Sequence, residues 1–190
     1  MRDSRKPTLY YSIRLLILLI YTFFLPVSHM EAVDFDEVYE YYKKGNYSRL
    51  VKISRPELRK GEVDYKILLL YVASEHSLEE IDKTLTSIDS NQKNHPSIFY
   101  NAVYLFLERA LVLEASEPGL RWGKIFVENG KSSVKYAEGL YTYACILYSS
   151  RKYEEVGTLL EKMNSISKSE KLEKRIKILS LQLDKIKGEK

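Results

Sequence analysis

The sequence predicts an all-α fold, a stack of about four helix-turn-helix hairpins closed by a C-terminal helix. The first observation behind this is the stretch 140–163, LYTYACILYSSRKYEEVGTLLEKM. Leu140, Ala144 and Leu147 keep one apolar face of a first helix, Ser149 to Lys152 form a polar break, and Val156, Leu160 and Met163 keep the face of a second. The second observation is recurrence. Helices that follow such breaks begin near Tyr47, Leu78, Leu120 and Tyr153, at spacings of 31, 42 and 33 residues. The third is physical: two short antiparallel helices cannot bury their apolar faces alone, and stacking one hairpin on the next solves this.

Residues 1–32 are set apart from the stack. Arg2, Arg5, Lys6 and Arg14 precede the uncharged run LLILLIYTFFLPV, Leu15 to Val27. That run suits a signal-peptide core and is shorter than the roughly 20 residues a spanning helix needs. The charge asymmetry keeps the N-terminus inside and sends the remainder across the cytoplasmic membrane. The expectation is an exported protein, periplasmic or secreted. Ser28 and Ala32 are the small residues available for cleavage. If neither is used, residues 9–27 stay as a membrane anchor with the helical domain outside.

The remaining residues, 33–190, form one helical domain by their composition, with 45% of the chain hydrophobic. A first hairpin spans about 34–54, with Phe35, Val38, Tyr39 and Tyr42 on one face and a KKGNY turn in which Gly45 suits a left-handed helix end. Pro56 should stop the second helix, leaving Arg55 to Glu62 as a polar linker. A second hairpin spans about 62–89 and breaks at Ser74 to Ser77; Leu68, Leu69 and Val72 precede the break, Ile81, Leu85 and Ile88 follow it.

The third hairpin, about 97–130, opens with Pro96 and a helix apolar nearly all round, as a central helix would be. Ser116 and Pro118 signal the start of its second helix and Gly130 its end. The fourth hairpin covers about 133–163. A last helix, about 167–187, carries Leu172, Ile176, Leu179, Leu183 and Ile186 as a narrow stripe. The stripe suits a cap on the end of the stack, or a seam for self-association.

The 140–163 stretch resembles a tetratricopeptide repeat, whose first helix carries W-x2-L-G-x2-Y and whose second carries A-x3-F. The first pattern falls on Leu140, Tyr143, Ala144 and Leu147, the second on Val156 and Leu160, with Tyr153 where the family often places an aromatic. Ala144 is small where the family has glycine, and the proline after the second helix is missing. The resemblance implies a right-handed α-solenoid whose first helices line a concave groove that holds a partner segment. On that implication Tyr39, Tyr42, Tyr65, Tyr100, Tyr104, Tyr141 and Tyr143 are groove candidates for another protein or peptide. Aromatics at helical spacing equally serve as packing between helices.

The sixteen tyrosines are the compositional oddity. Some must leave the core-facing stripes, and exposed tyrosines give a binding surface large amphipathic contacts. Charge argues against nucleic acid: residues 1–32 and 161–190 contribute +2 and +4 to the formal +4, so residues 33–160 net −2. The basic excess at the C-terminus could touch lipid headgroups.

No catalytic, cofactor or metal constellation emerges. His29, His76 and His95 lack acidic, His or Cys neighbours at metal-ligand spacing and read as solvated residues of loops and turns. The glycines are scattered singly, so no phosphate loop forms. Cys145, the only cysteine, excludes an internal disulfide and reads as a packed thiol. Asn46-Tyr47-Ser48 fits a glycosylation sequon but lies in a turn that already explains its residues. The function expected is a non-catalytic adaptor or scaffold. The alternative is a structural subunit of an oligomer or envelope complex.

Overall fold

A computed structural model describes residues 33–59, 63–91, 95–166 and 168–188. These residues are all-helical, without a strand. The helices are α1 Phe35–Lys43, α2 Tyr47–Leu58, α3 Tyr65–Ser74, α4 Leu78–Asn91, α5 Ser97–Val112, α6 Ser116–Asn129, α7 Tyr136–Ser149, α8 Tyr153–Asn164 and α9 Glu170–Gly188. A short 3-10 turn, Gly130–Ser132, follows α6. The expected leader and anchor, residues 1–32, lie outside the described residues.

The odd-numbered helices touch one another in chain order: α1 meets α3, α3 meets α5, α5 meets α7, and α7 meets α9. Their even-numbered neighbours lie against them. α5 is the centre, burying Phe99, Tyr100, Ala102, Val103, Phe106, Leu107 and Ala110. Its sequence explains this, because a helix apolar on most faces can sit only between other helices.

Missing Cβ atoms set the closest approaches. A Cβ on Gly123 of α6 would overlap the ring of Tyr143 in α7, and one on Gly139 of α7 would overlap the ring of Phe126 in α6. The two helices therefore interlock ring to backbone. By contrast the backbones of α3 and α4, partners in one hairpin, approach each other at few points at most. The fully buried Tyr71 occupies the space between them, its hydroxyl 3.5 Å from Thr84 Oγ1.

Turn chemistry follows the sequence where one residue decides it. Gly45 adopts φ +68, and Asn46 caps α2, its Oδ1 accepting the Arg49 N–H at 3.3 Å. The cap gives the sequon asparagine its structural reason.

Three boundaries differ from expectation. α2 runs through Pro56 to Leu58, because Leu58, 2% exposed, continues the buried face of Leu50 and Ser54. That burial outweighs the single hydrogen bond the proline removes from the last turn. α6 starts at Ser116 with Ala115 as its cap residue, so Ser116 supplies no side-chain cap. α9 begins at Glu170, where Ser169 Oγ accepts the Leu172 N–H. Its stripe is used inside the domain: Leu172, Ile176, Leu179 and Leu183 are buried against α7 and α8, and Ile186 is half-buried.

Candidate functional site

The residues that gather polar and aromatic chemistry on a surface come from α5, α7 and α9. Tyr104 of α5 donates its hydroxyl to Glu108 Oε1 at 2.6 Å. The i, i+4 spacing places both on one helix face. Burial, then the bond to Glu108 and the charges of Glu108 and Glu138, raise the Tyr104 hydroxyl well above its ordinary value. It is a hydrogen-bond donor throughout the physiological range.

Tyr141 of α7 is linked to this pair through Arg175, whose charge acts on both tyrosine hydroxyls. The Arg175 guanidinium of α9 lies over its ring at 4.5 Å, a cation–π contact that joins the last helix to the surface. Burial and the adjacent Cys145 thiol raise the Tyr141 hydroxyl, against the opposing charge of Arg175. Burial likewise raises the Cys145 thiol, so it remains a thiol near neutral pH and is a poor nucleophile.

A groove of about 620 Å³ adjoins these residues, lined by Ala73, His76, Leu105, Glu108, Arg109, Val112 and Leu113. Val112 and Leu113 are 80% and 60% exposed at the turn into α6, an unusual display for large apolar side chains. Its wall is rigid. Arg109 Nη2 donates to the Ala73 carbonyl at 2.6 Å and Nη1 to the Glu75 carbonyl, closing the C-terminal end of α3. Glu75 in turn accepts from Arg55 at 2.5 Å and from the Ser77 N–H at 2.9 Å. Arg109 and Glu75 thus hold α2, α3, α4 and α5 together at the groove's edge.

The seven tyrosines nominated from the sequence do not form one surface. Tyr104 and Tyr141 are linked through Arg175 as described. Tyr39 is 42% exposed, stacked on Phe35 at the far end in α1, and Tyr42 is half-buried against Tyr47. Tyr143 is 8% exposed, its ring wedged on Gly123 towards α6, so it faces the even-numbered helices, where it borders a separate groove with Val127, Glu155 and Leu159. Tyr100 is 6% exposed and is likewise withdrawn.

Tyr100 joins a buried aromatic group around His95, which corrects the expectation of a solvated histidine. The His95 side chain is 2% exposed and its ring stacks on Phe99 at 3.9 Å. Tyr65 Oη lies 3.3 Å from Nδ1 and Asp89 Oδ1 3.2 Å from Nε2. A Tyr-His-Asp sequence of this kind can relay a proton in principle, but at that burial no reactant reaches either ring nitrogen. His95 is a strut that ties α3, α4 and α5.

Among the described residues no group of His, Cys, Asp and Glu is arranged to hold a metal ion, and no helix is long and apolar enough to cross a membrane. The sequence had marked Tyr104 and Tyr141. It gave no local sign of Glu108, Glu138 and Arg175, which become neighbours only through packing, although the i, i+4 pair Tyr104 and Glu108 was available to find. No family model, curated protein or solved structure matches the chain significantly.

Proposed function

We propose that the chain is an exported interaction module. About four helical hairpins stack as a right-handed, tetratricopeptide-like α-solenoid, and the face of the odd-numbered helices holds a segment of another protein. What supports the stacking is the succession of contacts from α1 through α3 and α5 to α7. The observation that carries the binding role is the surface of Tyr104, Glu108, Tyr141 and Arg175 beside the apolar turn of Val112 and Leu113. A partner segment would lay an apolar side chain on that turn and offer a cationic group to Glu108.

Two half-buried tyrosines at the centre of such a contact are the residues whose truncation costs most, about 2 kcal/mol or more each. The test is affinity capture of the full chain from its native envelope, wild type beside Tyr104→Ala/Tyr141→Ala, with the mature N-terminus sequenced on the same sample. The expected outcome is a partner held by the wild type and lost by the double variant. A captured set indifferent to both substitutions would sink the binding face. An N-terminus beginning before Leu15 would mean that the module works tethered to the membrane. The rival reading, a structural subunit joined through the last helix, would need a face of α9 other than the stripe of Leu172, Ile176, Leu179 and Leu183, which is buried against α7 and α8.

A further inference from the structure

The outer face of α9 combines exposed apolar and basic side chains. With Leu172, Ile176, Leu179 and Leu183 turned to the core, helical geometry sends Lys171, Lys174, Ile178, Leu181 and Lys185 to the opposite side, spaced 3, 4, 3 and 4. All five are exposed, Ile178 at 57% and Leu181 at 53%. They form a strip about 20 Å long with two apolar side chains at its middle and lysines at both ends. Of the acidic residues of α9, Glu170 lies at the first end of the strip, where it pairs with Lys174 at 2.6 Å, and Glu173 and Asp184 line the groove between α8 and α9 that Leu181 borders.

The charge of the strip selects its partner. Pairing with a second copy is opposed, because an antiparallel arrangement centred on Ile178 and Leu181 sets Lys174 against Lys185. A parallel arrangement sets each lysine against itself. A surface that is anionic everywhere and apolar beneath satisfies both features at once: the lysine stems lie along it with their ammonium groups at the charged layer, and Ile178 and Leu181 enter below. The rest of the domain cannot supply such attraction, since residues 33–160 carry a net charge of −2. We infer that α9 docks the domain, through Lys171, Lys174, Ile178, Leu181 and Lys185, onto an anionic lipid surface.

The experiment uses the full chain with Leu181→Trp and vesicles whose acyl chains are brominated, either phosphatidylcholine alone or phosphatidylcholine mixed with phosphatidylglycerol. The native Trp122 is 1% exposed and shielded from the quencher. Residues 1–32 are common to the parent and the lysine variants, so the comparison between these isolates the contribution of α9 from that of the basic, apolar N-terminus. The expected result is quenching of the new tryptophan on the mixed vesicles and not on the neutral ones. Neutralising both ends with Lys174→Gln/Lys185→Gln should weaken it roughly 25-fold, at about fivefold per lysine lost, and Lys174→Glu/Lys185→Glu should weaken it further. Far-UV circular dichroism verifies folding of both variants. No quenching on mixed vesicles, or equal quenching on both that survives the charge changes, overturns the inference. So does a wild-type dimer by sedimentation that Leu181→Asp converts to a monomer, which would assign the face to a second copy.

Discussion

Single residues hold the groove wall, and Glu75 shows how. Burial pushes its carboxyl group up, but the Ser77 and His76 N–H groups and the Arg55 guanidinium outweigh this and hold it below its ordinary value. A carboxylate depressed in the folded state stabilises above its unfolded value, and that contribution is lost as the pH falls through the folded one. Thermal midpoints measured from pH 7 downward should therefore drop below about pH 4, and Glu75→Gln should flatten that limb. The same substitution should cost about 1–3 kcal/mol at pH 7, because Arg55 loses one of the two carboxylates it faces, Glu80 remaining at 3.4 Å. An unchanged acid limb in the variant would mean that other carboxylates control it.

Residue-scale inference from sequence worked where one side chain decides a local conformation, as at Gly45 and Asn46. It failed where a distant residue decides. His95 looks like a loop histidine because its partners Tyr65 and Asp89 reach it only through packing. Tyr100 and Tyr143 belong to helices apolar on two sides, and spacing alone cannot say which side carries the partner. Gly123 settles the matter for Tyr143, since a ring can rest on α6 only where no Cβ stands.

At the scale of elements, α9 differs from α5 in being packed on one side only. Leu179→Ala should remove contacts to α7 and α8, at a cost of about 2–5 kcal/mol for a fully buried leucine and less where the neighbours close in. Hydrogen exchange should then show faster exchange along α9 while α3 and α5 keep their protection. Loss of protection in α3 would contradict this. The end of α2 carries the complementary lesson. Pro56 announces a stop, yet the helix continues, because a proline in the last turn forfeits one hydrogen bond while Leu58 gains a buried site.

Across the whole molecule, α5 should transmit damage in both directions. Phe106 is fully buried and meets Trp122 edge to face at 6.3 Å. Phe106→Ala should cost about 3–5 kcal/mol. Amide protection should fall in α3 and α7 together, because α5 packs on both. A fall confined to α5 and α6 would show the flanking helices to be independent of it. The all-helical architecture and the turns between helices were legible because helical periodicity and turn residues are local. The proposed binding face was not, since it takes Glu108, Tyr141 and Arg175 from three helices and depends on how each is rotated.

The separation of α3 from α4 bears on how such a chain can change length. Where each hairpin is welded internally, whole units can be duplicated or deleted with little penalty. Here α4 leans on α2 and α5, and its Asp82 accepts the Trp122 indole N–H at 2.6 Å and pairs with Arg121 of α6. Excising residues 65–91 would remove the seat of α2 and strand the Trp122 indole at one stroke. The second hairpin is therefore no interchangeable module, and lineages carrying this domain should vary in number of units at its ends.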